Sequence, residues 1–433
     1  MIIFSKTEIP PKTNPCFLLF ILEKLSGFFF FVLTICRSRD TILSEKARGK
    51  NIRARRKNMT NTTADVTVYE NEKWLYPIWK GDTVYAETAF ILKNALGEIR
   101  PKRLAYPIQK IISVRSFDLK TVYEEGKDYE INEYGELQVL PGGKIPYLNW
   151  NEYRFSEFVQ DDVHMPSADA LGAQCVRELF ADKDGMSAYV LAVTYTHEPD
   201  DYYDVTAGKS EKFPRTIGKL KSGKDIKIAL YGDSITYGWG ASGMHDIAKP
   251  PFTPPYHEMA AQYIESKFHI KAERENFAVS GMCADWGIKE ENAGKAAAYK
   301  PDLVILAFGM NDAGVFRPET FATNIQIIID RIRKDKADAE FLLVSPILPN
   351  AETAFTAGSS ILTYHREYPR AFAKLERGNS AVACANVTRM HELLLERKAL
   401  ADTLSNNVNH PNDFMHRIQA QTVLKTLLDD DFA

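Results

Sequence analysis

"YGDSITYGWGASG", residues 231–243, admits two incompatible readings, and the choice between them decides the fold and the chemistry. Counted from Gly238 it contains G-W-G-A-S-G, which fits the G-x-G-x-x-G template of a dinucleotide-binding loop. Counted from Gly232 it contains G-D-S-x-T-x-G, a serine set just after an apolar run. The surroundings discriminate. A dinucleotide fingerprint places its first glycine where a strand ends and opens directly into a helix, so that amide N–H groups meet the pyrophosphate. Gly238 comes too late after the run 225–232, and the text after Gly243 carries Pro250, Pro251, Pro254 and Pro255, which forbid an immediate helix. The nicotinamide reading fails, and the serine reading is carried forward.

Downstream, apolar runs alternate with helical patterns. The runs at 225–232, 272–281, 301–309, 339–346 and 379–387 have the continuous character of strands buried on both faces of a parallel sheet. Helices are expected at 256–268, 285–299, 318–336, 367–377, 388–404 and 413–430. This predicts an α/β domain, a three-layer α/β/α sandwich with a five-stranded parallel sheet, over 225–433. Ser234 then lies at the carboxyl end of the first strand, where open α/β sheets bind ligands. Later strand ends supply matching chemistry: Gly281 in "NFAVSGM", Asn311 in "AFGMNDAG", and His410 in the late loop "NNVNHPNDF". Serine needs a base to take its proton, and a tetrahedral intermediate needs donors for its oxyanion.

Gly232-Asp233-Ser234 with Thr236 and Gly238, then Gly281, then Gly309-x-Asn311-Asp312, then His410-Pro411-Asn412 make an ordered set that resembles the SGNH (GDSL) hydrolase superfamily, whose core is flavodoxin-like. The resemblance covers about 225–433. It implies that Ser234 is the nucleophile and His410 the general base. It also implies an oxyanion hole formed by the N–H groups of Ser234 and Gly281 and by the Asn311 side-chain amide. No cofactor or metal is implied. One departure stands out. The family pattern D-x-x-H-P has an aspartate orienting the histidine, and here Asn407 occupies that place in "NVNHP". Two arrangements stay open: a Ser–His dyad, which is the expectation, or Asp413 as a displaced third member. Otherwise Asp413 is expected to cap the closing helix, and His416 to be a helix-start residue.

The resemblance implies a serine esterase acting through an acyl-enzyme. Short-chain acyl groups are expected, O-acetyl on a carbohydrate first, because the proline-stiffened loop 241–258 follows the nucleophile and no apolar lid is evident. An acyltransferase using the same serine is the alternative. A non-catalytic carbohydrate-binding protein with a decayed site is another, favoured only by Asn407. Partners are a small-molecule or oligosaccharide ester.

Upstream, residues 65–200 are rich in β-branched and aromatic residues with turn signals between runs at 82–92, 109–118, 127–143 and 187–197. This predicts a β-sandwich domain, jelly-roll-like, preceding the α/β domain. The stretches "YPIWKGDTVY" and "KIPYLNW" resemble SGNH members that carry an N-terminal β-sandwich, several carbohydrate esterases among them. Trp74, Trp79 and Trp150 are expected to pack in the core and not to stack sugars. Residues 206–225 read as a polar linker. Its Gly208-Lys209-Ser210 is no P-loop, since the template's first glycine would fall on Tyr203. His391-Glu392 is no zinc site, since the fifth position is Leu395.

The formal net charge of −3 conceals an asymmetry: residues 1–58 hold 12 Lys/Arg against 4 Asp/Glu, leaving the rest about −11. A globular body of that sign excludes a nucleic-acid grip, which needs a basic face. Five widely spaced cysteines without C-x-x-C exclude a disulfide framework or zinc site. The apolar stretch 16–36 is interrupted by Glu23 and Lys24, which are costly in a membrane span, and lacks a small-x-small cleavage site. The expectation is therefore a cytoplasmic protein whose natural start is Met59, residues 1–58 being a disordered or mis-called extension. Anchoring or export through 16–36 is the alternative.

Overall fold

The computed structural model describes residues 71–150, 153, 186–246, 248–350, 364–406, 408–429 and 432. The apolar stretch 16–36, Met59 and Cys175 lie outside the described residues. The described residues all fall in one compact unit.

The α/β part is built on five parallel strands: β9 (Ile226–Gly232), β10 (Ala272–Asn276), β11 (Leu303–Ala307), β12 (Glu340–Val344) and β13 (Val382–Ala385), in the order β10-β9-β11-β12-β13. The central strands are almost wholly buried, as runs such as "LVILA" and "EFLLV" require when helices cover both faces. β10 is an edge strand, "AEREN", with exposed charge, and it stops at Asn276 before the expected end at 281. Chain order reverses between β9 and β11, so the crevice at their carboxyl ends is the topological switch point. Gly232 closes β9 against β11; a Cβ there would lie 2.3 Å from the Ala307 carbonyl oxygen.

In chain order the helices are α1 (Asn71–Trp74), α2 (Pro214–Lys221), α3 (Ser234–Tyr237), α4 (Tyr256–Phe268), α5 (Ala284–Gly287), α6 (Glu290–Ala298), α7 (Pro318–Asp335), α8 (Tyr368–Gly378), α9 (Val387–Leu395) and α10 (Asp413–Leu428). Besides the short helices α1 and α3, which are not expected from the sequence, three stretches depart from the sequence reading. The stretch read as a linker contains α2, with Pro214 opening it and the buried Glu340 carboxylate of β12 accepting the Arg215 and Thr216 N–H groups. The helix expected over 285–299 is two, because Gly287 packs on Phe308 and Ile328 and the chain turns at Lys289. The helix expected over 388–404 ends at Leu395, as Asp402 engages Ala399 N–H in a separate turn.

The strand-rich part holds a four-stranded antiparallel sheet, β1 (Thr83–Phe90), β8 (Val190–Thr196), β3 (Lys110–Ser116) and β4 (Val122–Tyr123), ordered β1-β8-β3-β4. Two short ladders accompany it: β2 (Leu92–Lys93) with β7 (Leu148–Asn149), and β5 (Tyr129–Ile131) with β6 (Leu137–Val139). One apolar cluster runs from Leu75, Val84 and Val114 through Ile228 and Met259 to Leu424, so the two parts share a core. Trp74 and Trp79 are buried in it or beside it, and Trp150 is half-buried. No described helix is long and apolar enough to cross a membrane.

Candidate active site

The switch-point crevice gathers the residues singled out in the sequence. β9 delivers Ser234 as the first residue of α3, whose N-cap is Asp233 in extended conformation, its carboxylate accepting the Ile235 N–H at 3.0 Å. The loop after β10 carries Gly281 at φ 78°, a left-handed conformation that only glycine takes without strain, with open space where a side chain would stand. The loop after β11 carries Asn311, whose Nδ2 donates to the Met282 carbonyl at 3.1 Å and so sits beside the Gly281 loop. His410 comes from the loop before α10, and its Nε2 lies 3.1 Å from Ser234 Oγ. Both are buried, at 5% and 8% exposure. Burial alone holds the His410 ring's pKa down, to about 4.

Two buried aspartates tie these loops together. The Met310 N–H also favours the charged form of Asp233, placing the Ser234 turn beside the Asn311 loop. Asp312 accepts the Ala284 N–H at 2.7 Å, linking the Asn311 loop to that of Gly281. Burial pushes Asp233 up to about 7 and Asp312, which also feels Asp233 and Asp285, up to about 8. Cys283 lies in the same neighbourhood, and its thiol is pushed far up by burial and these carboxylates, away from any nucleophilic role.

The candidates for holding His410 separate in space. Asp413 is the first residue of α10, but its carboxylate turns to the loop after α3, accepting Ser242 N–H at 2.7 Å and Ser242 Oγ–H at 2.6 Å. It is Asn412, not Asp413, that caps α10 through the Met415 N–H at 3.1 Å. Asn407 lies outside the described residues. The side chain found against the ring is Asn406, which the sequence reading did not name: its Nδ2 is 3.0 Å from His410 Nδ1. His416 sits in the first turns of α10, with Nε2 3.1 Å from the Trp239 carbonyl.

Trp239 was visible in the sequence only inside the rejected glycine template. Its indole lies nearly parallel to the His410 ring (6.2 Å, 14°) and donates to Ser280 Oγ at 2.9 Å. Tyr237, 42% exposed, lies in turn nearly parallel to Trp239 (6.4 Å, 25°). A cavity of about 40 Å³ adjoins His410, lined by Trp239 and Leu404 on one side and by Phe117, Met186 and Val190 of the strand-rich part on the other. Lys249 reaches into it, donating to Ser187 Oγ at 2.9 Å. Among the described residues no group of His, Cys, Asp and Glu converges to hold a metal ion.

Residues 230–418 match the GDSL-like Lipase/Acylhydrolase family. Among solved structures, the chain is similar to a two-domain esterase active on acetylated mannans (19% identity, 54% of this chain and 58% of that one, TM-score 0.40). It is also similar to an acetylxylan esterase from Geobacillus stearothermophilus (14% identity, 47% and 94%, TM-score 0.36). A third is a lipase from a goat rumen metagenome (14% identity, 46% and 95%, TM-score 0.36). The chain thus matches 58% of the length of the two-domain esterase. No curated protein matches it.

Proposed function

We propose that the chain, whose residues 230–418 match the GDSL-like lipase/acylhydrolase family, is a carboxylic ester hydrolase of the SGNH type that cleaves short-chain acyl esters through an acyl-enzyme on Ser234. The observation that carries this is the 3.1 Å approach of His410 Nε2 to Ser234 Oγ at the switch point of the sheet. Ser234 Oγ attacks the ester carbonyl carbon while His410 Nε2 takes the hydroxyl proton. The carbonyl oxygen becomes an oxyanion, received by the N–H groups of Ser234 and Gly281 and by Asn311 Nδ2. Collapse breaks the bond to the alcohol oxygen, which leaves with the proton from His410. Water, deprotonated by the same ring, then attacks the acyl carbon and releases the acid, returning Ser234 to its hydroxyl form. A ring with its pKa near 4 is neutral at physiological pH, the charge state that a general base requires.

The acyl group is O-acetyl and the alcohol a carbohydrate hydroxyl. The narrow cavity beside His410 and the proline-rich loop that follows α3 support small acyl groups. The near-parallel Tyr237 and Trp239 rings support a sugar, whose C–H faces rest against aromatic surfaces. The test is covalent labelling by a fluorophosphonate together with acetate release from p-nitrophenyl acetate and acetylated oligosaccharides. Ser234→Ala is expected to abolish labelling and to cut kcat at least 10³-fold while leaving Tm unchanged, in line with roughly 10⁶ for loss of a catalytic serine. Labelling that survives the substitution, or faster turnover of octanoyl than acetyl esters, refutes the respective half of the reading.

A further inference from the structure

The loop that carries His410 is organised by one side chain. Asn406, 2% exposed, uses its Oδ1 to accept three backbone N–H groups in succession, from Val408 (3.0 Å), Asn409 (2.8 Å) and His410 itself (3.0 Å). These three bonds determine which way the amide points, because the reversed orientation would set its NH₂ against three N–H donors. The other end of the amide is therefore the nitrogen, and it lies 3.0 Å from His410 Nδ1. An amide nitrogen donates and has no lone pair to offer, so the ring nitrogen facing it accepts. A neutral imidazole that accepts at Nδ1 carries its hydrogen on Nε2, the nitrogen that faces Ser234 Oγ.

The geometry points to Asn406 as a positioning residue that holds the neutral His410 ring in its Nε2–H form, so that the resting site is throttled and a carboxylate at position 406 would release it. The inference rests on the Ser234–His410 reading above. In that resting form Nε2–H donates to Ser234 Oγ and cannot take its proton. Before each acylation the ring must give up the Nε2 proton to solvent and gain one at Nδ1, against the preference that Asn406 sets. In a serine protease the Asp→Asn change at the orienting position costs roughly 10⁴ in rate for this tautomeric reason. In Asn406→Asp one carboxylate oxygen would keep the three N–H bonds and the other would accept Nδ1–H, leaving Nε2 with its lone pair toward Ser234.

The experiment has two arms on the full chain. In the first, ring ¹⁵N chemical shifts of His410 in uniformly labelled protein at pH 7, above its own titration, read the tautomer directly. Nε2–H is expected, and Nδ1–H overturns the inference. In the second, Asn406→Asp is expected to raise kcat for p-nitrophenyl acetate at least 10-fold, with KM within 2-fold. It should also move the acid limb of the pH–rate profile upward, because a carboxylate beside the ring favours imidazolium. Among the described residues, Trp239, His416 of α10 and Lys249 across the cavity also lie near the ring, while Asp413 is turned to Ser242. None of these changes in the variant. A folded variant with unchanged kcat and acid limb overturns the proposal, and if the variant fails to fold the tautomer alone decides. Failure of the hydrolase reading shows differently: neither protein is labelled by the fluorophosphonate nor releases acetate, while the tautomer is still read.

Discussion

At Gly240 the chain passes so close to the histidine loop that no side chain fits. A Cβ there would lie 2.0 Å from the Pro411 carbonyl oxygen and 2.6 Å from Ser405 Oγ, and its φ of 93° is strained for any other residue. Pro411 follows His410 directly, so relief of the clash displaces the ring that lies 3.1 Å from Ser234 Oγ. Gly240→Ala is expected to lower kcat by 10²-fold or more and to cost about 1–3 kcal/mol in stability. Steady-state kinetics and denaturant titration check both, and a variant with kcat within 2-fold would show that the loop yields elsewhere. The sequence placed this glycine in a motif, but as the wrong motif; its actual neighbour is 171 positions away. The holder of His410 shows the same limit. "SNNVNHP" offers adjacent asparagines, and the family pattern D-x-x-H-P directs attention to Asn407, with Asp413 as a displaced alternative. That Asn406 faces the ring follows from how three N–H groups fold back on its Oδ1, a property of the loop's path and not of its composition.

At the level of elements, β1 is locked to the loop and helix that frame His410. Thr88 Oγ1 donates to the Asp402 carbonyl at 2.7 Å and accepts from Asn412 Nδ2 at 3.0 Å, while Phe90 N–H donates to the Asp402 carboxylate at 2.7 Å. Arg417 of α10 donates to the carbonyls of Tyr85 and Ala86 beside the β1 bulge. Beneath these lies a fully buried ion pair, Glu87 with Lys398, in which Glu87 also accepts from Ala105 N–H and the Tyr195 hydroxyl. Both charges are satisfied, so removing one strands the other in a dry core. Lys398→Ala is expected to cost about 3–5 kcal/mol, read as a shift in the urea midpoint. A loss under 1 kcal/mol would mean that water reaches Glu87. The helix α2 illustrates why sequence reading missed some elements: "PRTIGKLK" looks like a linker by composition, and its N-terminus is completed by Glu340, which sequence places 124 residues downstream.

For the whole molecule, buried titratable groups act against one another. Burial holds His365 and His410 at about 4 and His391 and His416 at about 3, against 6.5 for a free imidazole. Their depressed values mean that the unfolded chain binds protons the folded one refuses. The stability they contribute is present above pH 6.5 and is lost as pH falls toward 4. Asp233 and Asp312, raised to about 7 and about 8, work in the other sense: their contribution is present below pH 3.8 and is lost as pH rises through 7 and 8. Four imidazoles outweigh two carboxyls on the acid side. The urea midpoint is therefore expected to peak near neutral pH and to fall at both pH 5 and pH 9. A midpoint that rises from pH 7 to pH 5 would contradict neutral, buried imidazoles. By itself the sequence determined the alternating strands and helices of the parallel sheet, because continuous apolar runs have no other stable place than between two helical layers. It also determined that Ser234, Gly281, Asn311 and His410 lie at strand or loop ends, because glycine, asparagine and proline interrupt each run there. Tertiary structure alone decided which amide meets the His410 ring, where Asp413 turns, how β1 braces the histidine loop, and that α2 is a helix. Each of those depends on a partner distant in the chain, or on the exact path of a loop, and such partnerships leave no periodic mark on the residues that form them.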